Sequence, residues 1–229
     1  MRKFRLSLYL LVGLVFVSCS KSDGPIETGI EGVATYTVTF TMHWNNTDFP
    51  TDYPSNAHFS PLIGWSHPTT STFFKVETSV SAGIQEMAET GGTETLKTEL
   101  EAKIANNEGL DFVLGSGLGS GTGEITVEIE VDAINSAVTL VSMVAPSPDW
   151  YVAVLNVNLY NGSNFVDTKT VTAAVYDAGT DSGTTFTSEN VETDPKASIS
   201  LFVDSPLGDG TNLSADFATV TFTKKVNAE

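Results

Sequence analysis

The sequence predicts a mostly-β fold: an antiparallel β-sandwich with one or two short inserted helices. Three observations lead there. Residues 33–42 alternate strictly, with Tyr36, Val38, Phe40 and Met42 on one face and Thr35, Thr37, Thr39 and Thr41 on the other. A period of two with one apolar and one polar face is a half-buried strand. Residues 124–131 repeat it, with Ile125, Val127, Ile129 and Val131 inward and Glu124, Thr126, Glu128 and Glu130 outward. Residues 137–145 and 150–160 are near-continuous apolar runs on either side of Pro146 and Pro148, as expected of central strands.

The chain has 229 residues and a formal net charge of −17. Residues 1–5 are basic through Arg2, Lys3 and Arg5, and residues 6–17 form an apolar run too short to cross a bilayer. Residues 1–18 therefore read as a secretory signal peptide. The end of that segment, Phe16-Val17-Ser18-Cys19, is similar to a bacterial lipobox. The expectation is cleavage before Cys19 and lipidation of it, the alternative being ordinary secretion. Residues 19–32 are then a polar tether and residues 33–229 one domain, long enough to bury a core without staples. Once Arg2, Lys3 and Arg5 are removed, 8 basic residues face 28 acidic ones. Such a surface repels nucleic acid and anionic lipid and favours cations. Cys19 is the single cysteine, which excludes an intramolecular disulfide and a cysteine metal cluster, and three histidines (His43, His58, His67) are a poor zinc set.

The remaining elements follow in order. Residues 43–68 read as an ordered loop, because Trp44, Phe49, Tyr53, Phe59 and Trp65 can pack together. Exposed, the same rings would instead form a platform for a glycan or other ligand. Residues 72–77 read as a short strand. Residues 81–89 suit one or two helical turns with Ile84, Met87 and Ala88 inward and Gly91 ending them. Residues 93–106 suit a longer helix capped by Thr93, with Leu96, Leu100 and Ile104 as its apolar stripe. The glycine-rich stretch 114–123 lacks a following Lys-Ser/Thr and precedes a strand, so it is a loop and not a phosphate cradle. Asn161-Gly162 is a hairpin signal, with residues 165–176 returning as the next strand. Residues 197–203 and 215–226 close the sheets, and Asp209 between them reads as a surface turn residue.

Asp149 begins one strand of that hairpin and Asp177 follows the other, so antiparallel pairing sets the two side by side. Asp177 and Asp181 bracket a bend at Gly179. Carboxylates four apart on a bent loop, with a third from a neighbouring loop, can form an oxygen cage for a hard cation such as calcium. The same spacings also arise from ordinary Asx turns. No Ser-His-Asp set or nucleophile elbow occurs, so a non-enzymatic protein is expected. The enzymatic alternative is a hydrolase using Asp149, Asp177 and Asp181 around an open groove.

Several motifs together resemble the spondin N-terminal domain family: Pro-Ser-Pro-Asp-Trp at 146–150, Tyr-Asp-Ala-Gly-Thr-Asp-Ser-Gly at 176–183, Trp44, the stretch 52–67 ending Gly-Trp-Ser-His, Phe73-Phe74, and 82–91. The resemblance runs from about residue 35 to 222, in a chain that looks like a bacterial lipoprotein member. It implies a β-sandwich that binds Ca2+ through Asp149, Asp177 and Asp181, without catalysis. It also implies adhesion or matrix-type contact with an unknown protein or glycan at the cell surface. The chain lacks the cysteines of animal members and has Val175-Tyr176 where a Trp often precedes the aspartate. The expected location is the cell envelope, lipid-anchored at the bacterial outer membrane or cell surface, or otherwise secreted.

Overall fold

The computed structural model describes residues 32–226, so the signal-peptide, Cys19 and most of the tether expectations lie outside the described residues. The chain order is β1 (Val33–His43), β2 (His58–Phe59), β3 (Ile63–His67), α1 (Ala82–Thr90), α2 (Glu94–Ala105), β4 (Phe112–Leu114), β5 (Thr122–Asp132), β6 (Ala137–Ala145), β7 (Trp150–Asn158), β8 (Thr168–Asp177), β9 (Ser200–Leu201) and β10 (Ala218–Lys224). The strands lie in the order β4-β3-β6-β7-β8-β10-β1-β5, with β2 beside β6 and β9 beside β8. All the pairs are antiparallel.

The period-two strands pair so that their apolar faces coincide. Tyr36 lies opposite Ile129, Val38 opposite Val127 and Phe40 opposite Ile125, which zips β1 and β5 onto one core. A slip of one residue would turn every one of those side chains to water. β6 is buried at all nine positions because its two faces serve two cores. Val138, Leu140 and Val144 join the first core, while Val141 and Met143 join a second built with Ile84, Met87, Leu96 and Leu100 of the helices. β8 is the corner of the fold: Ala174 to Asp177 pair with β7, and Thr168 to Ala173 pair with β10. The far edges approach as well, where the Glu130 N–H donates to Asp111 Oδ2 at 2.9 Å, leaving a nearly closed sheet.

Ser81 caps α1, its Oγ accepting from the Ile84 N–H at 3.2 Å, and Gly91 at φ 71° ends it. Thr93 makes no side-chain cap on α2. The helices cap each other instead. Glu99 of α2 accepts from the Gly83 N–H at 2.8 Å, and Glu86 of α1 accepts from the Thr95 N–H at 3.0 Å. Residues 72–77 are not a strand: Thr72 Oγ1 donates to the Phe74 carbonyl at 2.8 Å, Glu77 has φ 66°, and the turn drives Phe74 into the second core. Trp44, Phe49, Phe59 and Trp65 are at most 2% exposed, so these four rings are core and form no platform, while Tyr53 is partly exposed. His67 is buried with Nδ1 against the Pro68 carbonyl and Nε2 against Thr139 Oγ1, both at 2.8 Å. His43 bonds Thr219, and His58 bonds the Asn56 carbonyl.

Between β7 and β8, Asn161 Oδ1 accepts from the Ser163 and Asn164 N–H groups and Gly162 adopts φ 94°. β8 begins at Thr168 and not at 165, because Tyr160 and Phe165 close a separate small bridge first. A Cβ at Gly162 would meet nothing within 4 Å, so any cost of substitution is backbone strain alone. Gly162→Ala should therefore destabilise by about 1–2 kcal/mol, and Gly162→Val by at least as much, because β-branched residues tolerate positive φ least. Thermal denaturation checks this, and an unchanged midpoint would mean that this turn carries no strain.

The register also defines two ends. Val33, Asp132, Asn158 and Thr168 gather where the described chain enters. His43, Thr122, Trp150, Asp177 and Ala218 gather at the opposite end.

Candidate metal centre

Asp149 stands at that opposite end, directly before β7. Ser147 Oγ accepts from the Trp150 N–H at 3.1 Å, and the Asp149 carbonyl accepts from the Ala178 N–H at 3.2 Å, so the backbone is held from both sides. Trp150 lies opposite Asp177, which places Asp149 and Asp177 at adjacent strand ends.

The Asp149 carboxyl is fully buried. Oδ2 accepts three hydrogen bonds, from the Thr180 N–H (2.6 Å), the Thr180 hydroxyl (3.2 Å) and the Asp181 N–H (3.1 Å). Oδ1 is buried with no hydrogen-bond partner. Burial, reinforced by the neighbouring charge of Asp177, pushes Asp149 up from 3.8 to about 6 despite those donors. Asp177 is also raised, first by burial and further by Asp181 and Asp204, against the pull of the Gly179 N–H at 2.7 Å. Gly179 is required there: its φ is 75° and a Cβ would sit 2.6 Å from the Ala197 carbonyl oxygen. Asp181 turns its oxygens to its own loop, accepting from the Gly183 N–H (2.7 Å) and the Val191 N–H (3.1 Å).

Asp177 and Asp181 thus each accept from the N–H two residues on, the Asx-turn geometry that the spacing also allowed. Asp149 and Asp177 are brought within electrostatic reach, as are Asp177 and Asp181. Among the described residues no three His, Cys, Asp or Glu side chains form a ready metal cluster. Two groups at this end escaped sequence reasoning. Asp204 acts on Asp177 because β9 pairs with the end of β8, and a two-residue strand leaves no readable pattern. The Tyr151 hydroxyl is buried without a partner, pushed far up by burial and by Tyr176, Asp177 and Asp149. Asp209 accepts from Thr211 and Asn212 in an exposed turn, as its position suggested.

Oxygen is the ligand type a hard cation takes, and Asp149, Asp177 and Asp181 would be the side chains to supply it. Asp149 Oδ1 is an oxygen without a partner inside a cluster of mutually repelling carboxyls. The ion pairs among the described residues lie elsewhere: Lys97–Glu101, Lys103–Glu108, Lys224–Asp167 and Lys225–Glu128. Asp177 and Asp181 keep lone pairs beyond their turn bonds.

A family model described as Spondin_N matches residues 34–208, which include all three aspartates. The chain belongs to the spondin N-terminal domain family. It is 34% identical over 177 residues to Spondin-2 of Homo sapiens, covering 76% of this chain and 54% of that protein. Spondin-2 of Rattus norvegicus is 34% identical over 171 residues, covering 73% and 52%. Spondin-1 of Rattus norvegicus is 31% identical over 176 residues, covering 73% and 22%. This chain therefore spans about half the length of the Spondin-2 relatives and less of Spondin-1. In this spondin domain the cavity touching Asp181 is only about 130 Å3, lined by Ser147, Ser188, Asn190 and Glu89 among others. Asp149 has no exposed surface from which to act on a substrate. No helix among the described residues is long and apolar enough to cross a membrane.

Proposed function

We propose that this protein is an exported, envelope-anchored spondin domain that binds one calcium ion through Asp149, Asp177 and Asp181 and serves adhesion or matrix-type contact without catalysis. The observation that carries the reading is Asp149 Oδ1, a buried carboxylate oxygen with no partner beside a second raised carboxyl. Calcium would supply the missing positive charge and tie the β7 and β8 ends to the loop after Asp181. Three carboxylates furnish fewer oxygens than the roughly six to eight that calcium takes, so backbone carbonyls or water complete the shell. The lipid anchor is read from Cys19 and its leader. Because the described chain enters at the end opposite Asp149, such an anchor would present the metal centre outward.

Calorimetric titration of ion-stripped protein should show one saturable calcium site, with a dissociation constant of about 10⁻⁴ to 10⁻³ M as in extracellular modules. At tenfold excess over that constant, calcium should stabilise the fold by roughly 1.4 kcal/mol. Asp177→Ala should abolish both responses, and Asp209→Asn should leave them intact. No saturable heat at millimolar calcium would falsify the site.

A further inference from the structure

A second cavity, of about 640 Å3, opens at the same end of the molecule, between the loop after β1 and residues 185–187. We propose that it is a socket for the guanidinium group of an arginine on a partner protein. The calcium reading is not needed for this inference.

Asp52 contributes to the wall of the cavity, and its carboxylate is exposed. Among the described residues it has no hydrogen-bond or ion-pair partner. Tyr53 beside it donates its hydroxyl to the Trp44 carbonyl at 3.1 Å, so its polar end is satisfied by the protein and its ring is what remains for a ligand. That ring is fixed edge-on against Trp44 at 5.4 Å. Phe186 also lines the cavity, almost wholly buried, and is wedged between Trp44 at 5.1 Å and Trp150 at 5.5 Å. The loop carrying Phe186 is pinned at its neck, where Asp181 Oδ2 accepts from the Val191 N–H at 3.1 Å and Ser182 bonds the Val191 carbonyl. The cavity walls are thus set by packing before any ligand arrives, which lowers the cost of binding.

Charge selects the occupant. The chain carries −17, and Asp52 offers an unpaired carboxylate beside an aromatic ring. A guanidinium is planar: it can lie on a ring face while its N–H fork meets a carboxylate, and it is more weakly hydrated than an ammonium. A volume of this size is ordinary for a ligand site and larger than one guanidinium, so residues flanking the arginine would enter too.

The test is an NMR chemical-shift titration of the folded protein in roughly 0.15 M salt, where charges beyond about 8 Å are screened. The probe is a nine-residue peptide of neutral residues with one central arginine, compared with the same peptide carrying citrulline. Saturable shifts confined to the cavity walls at Asp52, Tyr53 and residues 185–187, with the arginine peptide only, are expected. Asp52→Asn should weaken binding roughly tenfold, as loss of a charge-assisted hydrogen bond does. Asp209→Asn removes the same charge from another exposed turn and should change nothing. Equal binding of the citrulline peptide, equal weakening by Asp209→Asn, or no shift at the cavity overturns the proposal. Repeating the titration with and without calcium separates the two readings. Arginine-specific binding in a protein that takes up no calcium leaves the socket standing and removes the metal centre, and the reverse pattern removes only the socket.

Discussion

Asp149→Asn, stripped of divalent ions at pH 7.5, should unfold several degrees above the wild type, and calcium should narrow that difference by stabilising the wild type alone. In the wild type the native value of about 6 stands against 3.8 for the free side chain. At about 1.4 kcal/mol per unit, keeping that buried carboxylate ionised without a cation costs roughly 3 kcal/mol. Asparagine removes the charge and keeps an oxygen for Thr180 and Asp181. It also points an N–H₂ where Oδ1 has no partner. The pH dependence has a definite sign. Between about pH 4 and 6 the native state holds a proton that the unfolded chain has lost, so metal-free stability is full below 4 and falls as pH rises through 6. Asp177, also raised, acts in the same direction. His67, lowered by burial, acts in the opposite one, its contribution being lost as pH falls below its unfolded value. The gap between variant and wild type cancels the histidine. Urea midpoints from pH 4 to 8 should show that gap opening with pH and closing near pH 4. A gap independent of pH, or a metal-free wild type that is the more stable at pH 7.5, would show that Asp149 is not strained by its charge.

Trp44→Ala should cost about 3–5 kcal/mol, the usual range for truncating a fully buried large aromatic. Trp44 has no exposed surface, and its ring meets Tyr53, Phe59, Phe186 and Phe217 with centroids 5.1–5.9 Å apart. Its indole N–H has no hydrogen-bond partner, so the loss is one of packing and leaves no broken hydrogen bond. Tyr53 and Phe186 both rest on this ring, so the loop after β1 and residues 185–187 should become cleavable in limited proteolysis. Trp44→Phe should keep part of the packing. Ile134→Ala, at a residue 75% exposed, should fall within about 0.5 kcal/mol of wild type. Chemical denaturation of the three variants measures this. A Trp44→Ala loss below about 1 kcal/mol would mean that the surrounding rings collapse into the space.

The parts of the fold that were legible in the sequence are those where one side-chain period settles the answer. The alternation in β1 and β5 names the apolar face residue by residue, and Leu96 and Leu100 mark the dry side of α2. Expectations failed where a distant group overrode a local signal. Thr93 is a reasonable cap by composition, but Glu86 reaches the start of α2 across the helix pair and takes its place. Residues 72–77 have strand composition, yet the Thr72 hydroxyl satisfies the backbone locally and leaves no ladder to join. The aromatic loop could be core or platform on sequence grounds, because apolarity does not say which side of a ring meets water.

The same division runs through the site. The sequence by itself determined that Asp149 opens one strand and Asp177 closes its neighbour, since two runs joined by a short connection pair antiparallel and align those ends. It also determined that Asp177 and Asp181 lie on one bend at Gly179. Only the tertiary structure decided that Asp149 is fully buried, that Asp204 joins through a two-residue strand, and that Asp181 holds the neck of the loop walled by Phe186. Periodicity is a property of neighbours in the chain. Desolvation of a carboxylate is set by residues such as Thr180, which lies 31 positions away from Asp149 and reaches it only once the sheet has closed.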